Sequence, residues 1–297
     1  MKLLKSILLI GLMILVSVAC QREAAAPEAG STETVTFNVS IPADVPTKAI
    51  GDGSQIDQLW FWAFNLENQD VFFKSFDVVD GSATVKADLV NGVKYTLCFW
   101  AQNGDQNDNP ISVNENAEIL VDYPKMINQD RGDCFCATLQ DFTIGGSSQV
   151  VELRRPFAQL NIGLSYADTT AAGVKGFHAD KANTKLLFYA PTKLDLKTGE
   201  LSEPKFVQNT PANLPPWDAL VEVKDGDQID PEKSFARAGF CYILADGTNE
   251  ILSTVSFYIA GKQYGVPCGI QEEFTNIPVY ANQQTNVLGA FLDDTLQ

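Results

Sequence analysis

From Thr34 onward the chain sets apolar against polar residues in short runs: VTFNVSI, QLWFWAFN, VFFKSF, ATVKADL, KYTLCFWA, FCATLQDF, QVVELRR and AQLNIGLS. Alternation of period two in runs rich in β-branched and aromatic residues marks strands with one face in a core. Turn formers such as Asp80-Gly81, Asn91-Gly92 and Gly145-Gly146 separate them. A second series follows in KLLFYAP, TKLDLKTGELS, FARAGFCYILA, ILSTVSFYIAGKQYGVP and TNVLGAFL. The stretch between the series, YADTTAAGVKGFHADKANT, is Ala-rich and predicts one short helix. No long amphipathic helix is visible past the N-terminus. The pattern predicts an all-β protein with two tandem antiparallel β-sandwich domains, residues 34–165 and 166–297.

The run QLWFWAFN is apolar on both faces, with Trp60, Trp62 and Phe64 on one side and Leu59, Phe61 and Ala63 on the other. Such a strand is either covered on both sides or covered on one and open as an aromatic platform for sugars.

The N-terminus departs from this pattern. Lys2 and Lys5 precede an apolar stretch from Ile7 to Val16, and small residues lead to Cys20. A bilayer span needs roughly 20 apolar residues, so residues 1–19 read as a cleaved export signal. Its ending, VSVAC, resembles the lipobox of bacterial lipoproteins, in which Cys20 becomes the acylated first residue. The following QREAAAPEAGSTET is too poor in large apolar groups to order itself, so residues 20–33 read as a flexible tether. The expected location is the outer membrane, lipid-anchored and facing the cell surface.

A formal net charge of -16 over 297 residues repels a phosphate backbone, and no basic cluster exceeds Arg154-Arg155. Nucleic acid is excluded as a partner. Of the six cysteines, five remain once Cys20 is acylated, an odd number that argues against a disulfide scaffold. Cys98, Cys134, Cys136 and Cys241 sit in apolar strand-like runs and read as small core residues. Cys241 and Cys268 are the candidate pair if an oxidising compartment forms a disulfide. A zinc site would need more ligands than the lone His178 supplies.

Catalytic signatures are missing. Neither G-x-S-x-G nor H-E-x-x-H occurs, and a His-based triad would have to use His178 in the predicted linker. The loop NGDQNDNPISVNEN opens like a calcium loop with Asp105, Asn107 and Asn109, yet Pro110 and Asn116 stand where Gly and Glu belong. Neither an enzyme nor a cofactor nor a metal is expected. Arg131-Gly132-Asp133 is the tripeptide that host integrins recognise on protruding loops, which makes it a candidate adhesion motif.

Three stretches, VVELRRPFAQLNIGLS (150–165), TKAIGDGSQIDQLWFWAF and YANQQTNVLGAFL, together with the lipobox, carry a family resemblance. In their order along the chain they resemble the fimbrillin-like lipoproteins of Bacteroidales, the type V pilins and their relatives. The resemblance implies two transthyretin-like sandwiches, with R-P-F-A-Q-L closing the first. It also implies assembly: a protease cuts the loop after the first strand, and the vacated groove accepts a strand from another subunit. VTFNVSIPADV is then the removable strand, and Lys48-Ala49 the processing site, with lysine where the processed pilins commonly carry arginine.

TNVLGAFLDD is the donor candidate, with Val287, Gly289 and Phe291 on one side and Leu288, Ala290 and Leu292 on the other. The alternative is that it completes its own sandwich. Asp168-Thr169-Thr170 and Asp294-Thr295-Leu296 resemble the O-glycosylation acceptor of exported proteins in the same bacteria. The expected function is a fimbrial subunit or adhesin, with other subunits or copies of itself as partners and a host or bacterial surface as ligand. The rival expectation is a glycan-binding lipoprotein of a nutrient-uptake system, with Trp60, Trp62, Trp100 or Trp217 stacking on sugar rings.

Overall fold

The computed structural model of the chain describes residues 30–42, 53–67, 69–105, 107, 109–128, 132–146, 148–208, 218–245, 250–290 and 292. The leader, Cys20, Lys48, Ala49, Arg131, Trp217, Phe291 and Asp294-Thr295-Leu296 lie outside the described residues.

The first half carries β1 (Thr32–Ser40), β2 (Gln58–Phe64), β3 (Asp70–Asp77), β4 (Ser82–Val90), β5 (Tyr95–Gln102), β6 (Ile111–Val113), β7 (Glu118–Val121), the single-turn helix α1 (Tyr123–Met126), β8 (Phe135–Phe142) and β9 (Ser148–Glu152). The second half carries β10 (Phe157–Ser165), helix α2 (Tyr166–Val174), β11 (Phe177–Asp195), β12 (Glu200–Gln208), β13 (Ala219–Val221), β14 (Lys224–Asp225), β15 (Gln228–Ile229), β16 (Phe235–Leu244), β17 (Glu250–Gln263), β18 (Val266–Val279) and β19 (Gln284–Gly289). The protein is all-β, as the alternation predicts. Its short helix falls within the Ala-rich stretch, where Ser165 caps the first turn by accepting from the Asp168 N–H at 3.4 Å.

Two sheets, β4-β1-β9 and β3-β2-β5-β8, enclose a first core in which Val35, Phe37, Leu59, Phe61, Val85, Leu97 and Phe99 are buried. Two others, β13-β16-β10-β19 and β18-β17-β11-β7-β6 with β12 on another edge of β11, enclose a second core. The aromatic strand β2 belongs to both. Leu59, Phe61 and Ala63 face the first core, while Trp62 and Phe64 join Cys98 and Trp100 in the second. Trp100 meets Phe157 edge-on at 6.3 Å, so the outer face of the β2 sheet packs on β10.

Sheet membership divides the chain differently from the expected boundary at 165/166. β10, which carries F-A-Q-L, does not close the first sandwich. It lies between β16 and β19 in the second, with every residue buried. The break falls between β9 and β10. In addition, β7 leaves the first half to pair with β11, Leu120 opposite Lys193, carrying β6 on its other edge, and α1 is pinned beside them. The Tyr123 hydroxyl donates to the Pro191 carbonyl at 2.8 Å and accepts from the Leu244 N–H at 3.0 Å. A strand buried on both faces has the same period whichever sheet it joins, which is why local pattern misplaces it.

Candidate functional site

The candidate site follows from how the first and last strands are held. In β1 the sequence TETVTFNVS places Val35, Phe37 and Val39 inward, and Val35 and Phe37 are 0% exposed. Phe37 lies 5.5 to 5.6 Å from the rings of Phe61, Phe99 and Phe142. The strand is central in its sheet: antiparallel to β4 from Thr32↔Val90 to Ser40↔Ser82, and parallel to β9 from Thr36↔Ser148 to Ser40↔Glu152. Beyond it the Ile41 N–H donates to the Gly81 carbonyl at 2.8 Å. Without β1, an apolar slot and two unpaired strand edges would face each other, a geometry that an added strand satisfies on both counts.

The last strand is held on one side. β19 pairs in parallel with β10 from Gln159↔Gln284 to Leu164↔Gly289 and forms the edge of its sheet. Val287 is half-buried and Leu288 is 40% exposed. Gly163 permits the approach, for a Cβ there would stand 2.6 Å from Leu288 Cδ2. The Asn161 amide donates to Asn286 Oδ1 at 2.9 Å, and further on the buried Leu292 gives its N–H to Asp168 Oδ2 at 2.9 Å. Within the subunit, residues 284–289 of this segment lie in the sheet beside β10. Ala290 is exposed just past the strand.

Between the two strands sits a buried ion pair. Arg155 and Asp133, side chains 4% exposed, form a fork in which Nε and Nη2 reach Oδ1 and Oδ2, the latter at 3.1 Å. Oδ2 also accepts from the Gly53 N–H at 3.1 Å, and Arg155 Nη1 donates to Asn282 Oδ1 at 3.1 Å. This arrangement explains one motif and removes another. The Asp of Arg131-Gly132-Asp133 is buried against Arg155, so its carboxylate does not project as an integrin ligand must. Nothing in a tripeptide signals that, although the adjacent apolar CFCATL foreshadows burial.

The remaining candidates fall into place around this. Trp62 and Trp100 are fully buried, and Trp60 is half-buried and stacked on Phe73 at 5.7 Å, so Trp62 and Trp100 offer no face to a sugar. Asp168-Thr169-Thr170 lies in α2 rather than in a loop, with Asp168 buried and the Thr170 hydroxyl donating to the Tyr166 carbonyl at 2.8 Å. The calcium-like loop turns its side chains on its own backbone: Asp105 Oδ1 accepts from the Asn107 N–H at 3.0 Å and Asn109 Oδ1 from the Ile111 N–H at 2.9 Å. Among the described residues no group of three or more His, Cys, Asp or Glu is placed to hold a metal ion.

His178 lies not in a linker but within β11, opposite Lys262. All five described cysteines are free thiols, so Cys241 and Cys268 form no disulfide. Burial pushes the Cys98 and Cys136 thiols up to about 12, which leaves them protonated and unreactive at neutral pH.

Residues 27–296 match the sequence profile of DUF6562, described as a family of unknown function. The chain belongs to DUF6562. No curated protein matches this DUF6562 chain. Among solved structures, one from Bacteroides eggerthii DSM 20697, provisionally described as a cell adhesion protein, aligns with a TM-score of 0.48 and 10% identity over 89% of each chain. The fimbrial anchor protein Mfa2 from Porphyromonas gingivalis aligns with a TM-score of 0.45 and 12% identity, covering 86% of this chain and 91% of that one. A Bacteroides thetaiotaomicron protein provisionally described as polysaccharide-binding aligns at 0.45 and 10% identity over 78% of each chain. Among the described residues of the DUF6562 chain no helix is long and apolar enough to cross a membrane.

Proposed function

We propose that this DUF6562 chain is a fimbrial subunit or adhesin of the cell surface, held at the outer membrane by lipid on Cys20 and joined to other subunits by strand exchange. The observation that carries this reading is the position of β1: central between β4 and β9, with its apolar side chains in the core, and followed in sequence by Lys48-Ala49. An N-terminal strand so placed is the one whose loss creates an acceptor groove. The edge strand β19 and its extension through Leu292 supply a segment with the alternation a donor needs.

The roles divide as follows. Cutting between Lys48 and Ala49 releases the tether and β1 together, so anchoring ends when the groove opens. A donor from a second copy or another fimbrial subunit then fills the places of Val35, Phe37 and Val39. Burying each such side chain stabilises the joint by roughly 1.5–3 kcal/mol, and the backbone ladder to β4 and β9 is restored at the same time. The test is N-terminal sequencing and intact mass of surface protein before and after limited trypsin, beside an unboiled gel. A start at Ala49 with a ladder of bands supports the reading. A lipidated Cys20 that persists with only monomer overturns it.

A further inference from the structure

The buried ion pair touches the segments that bear on both strands. At the end of β1, Ile41 Cγ2 packs 3.3 Å from the point where a Cβ on Gly53 would stand, and the Phe135 ring packs there at 3.5 Å. Gly53 adopts φ +75, a conformation that favours glycine, and gives its N–H to Asp133. Phe135 lies under the Arg155 guanidinium at 4.7 Å, which adds a cation–π contact to the fork with Asp133. A second connection runs along the chain, because the Leu153 N–H donates to the Ser40 carbonyl of β1 at 3.0 Å, two residues before Arg155. From Arg155, Nη1 reaches Asn282 Oδ1. Asn282 lies in the turn that launches β19: its N–H donates to the Phe157 carbonyl at 2.9 Å, and the Gln283 carbonyl accepts from the Gln159 N–H at 2.9 Å.

We infer that the Asp133–Arg155 pair is a clasp through which the seating of β1 holds β19, so that departure of β1 loosens the C-terminal strand for exchange. This rests on the reading above that β1 leaves. The physical basis is a contiguous set of contacts from Ile41 through Gly53, Phe135, Asp133 and Arg155 to Asn282, at whose ends stand two elements with docked and released states. When Ile41 withdraws, Gly53 and Phe135 lose their cover, water reaches the fork, and the hydrogen bonds of Arg155 weaken because water competes for both partners. The hydrogen bond from Arg155 Nη1 to Asn282 Oδ1 in the β19 turn weakens with them.

The coupling can be measured in the full chain by amide hydrogen exchange at residues 284–289. Ile41→Ala leaves β1 covalently in place but withdraws its contact with Gly53. Asn282→Gly keeps the left-handed turn, since Asn282 has φ +59, and removes only the side chain that Arg155 grips. Each variant is expected to speed exchange across β19 about tenfold, the effect of losing one charge-assisted hydrogen bond, while β16 and β17 stay protected. The double variant is expected to exchange no faster than Asn282→Gly alone, because both changes cut the same connection.

Faster exchange in β1 and β4 with unchanged exchange in β19 for Ile41→Ala would overturn the clasp. Unchanged exchange for Asn282→Gly would do the same. Limited trypsin separates this from the reading beneath it. If clipping releases β1 and β19 stays protected, strand loss stands and the clasp fails. If trypsin never releases β1, the assembly reading fails while the two full-chain variants still decide the clasp.

Discussion

The strands β1 and β19 look alike in sequence and are held differently. β1 sets Val35, Phe37 and Val39 on one side, and the segment that β19 opens sets Val287, Gly289 and Phe291 on one side and Leu288, Ala290 and Leu292 on the other. Yet β1 has a hydrogen-bonded neighbour on each edge and its inward side chains are buried, whereas β19 has one neighbour among the described residues and leaves Leu288 partly in solvent. A strand held on both edges does not leave on its own, so its release calls for a covalent cut. A strand held on one edge can fray and re-pair at modest cost. On the proposed reading, the first strand thus keeps an acceptor groove shut firmly and the last is a donor held lightly.

The largest effect is expected where β1 fills the core. Phe37→Ala should destabilise the protein by about 3–5 kcal/mol in urea unfolding, because it leaves a cavity among Phe61, Phe99 and Phe142. A loss no greater than that at β19 would break the comparison. Next comes Asp133→Ala, which strands the Arg155 charge in a buried site and should cost about 3 kcal/mol. The matching change in the last strand, Val287→Ala, removes half-buried methyl groups and should cost about 1 kcal/mol.

The smallest effect belongs to the pair Glu118–Lys193, which ties β7 to β11 away from both strands. The Lys193 hydrogen bond, then that of Asn114, holds the Glu118 carboxyl below its usual range, and the same bond holds Lys193 above its own. The Glu118 contribution is present above the unfolded value of about 4.3 and is lost as pH falls through the lower folded value. That of Lys193 is present below about 10.4 and is lost as pH rises through the higher folded value. Glu118→Gln should therefore flatten the stability profile at both extremes, measured by thermal melts across pH, without altering the difference between β1 and β19.

Much of this was legible in the alternation. Each run of the first series became a strand, and QLWFWAFN proved to be a strand covered on both faces. The three- and four-residue strands β6 and β7 escaped notice because so few positions cannot establish a period. FHADKANT read as linker, since its charged residues hide the long strand β11 that runs through it. The assignment of β10 failed for a different reason: which sheet a doubly buried strand joins is decided by distant partners, β16 and β19, not by its own residues. The same holds for the site. The apolar faces of β1 and TNVLGAFL could be read directly, whereas the clasp joins Gly53, Asp133, Arg155 and Asn282 across 229 residues of sequence, and only the fold brings them together.

The most direct test of strand exchange is native mass spectrometry of the trypsin-clipped protein mixed with a labelled peptide of residues 285–292, TNVLGAFL. The account predicts one peptide bound per subunit that has lost β1 and none on the intact chain. Clipped subunits shown by mass to lack β1 that bind no peptide, or intact subunits that bind it equally well, would contradict it.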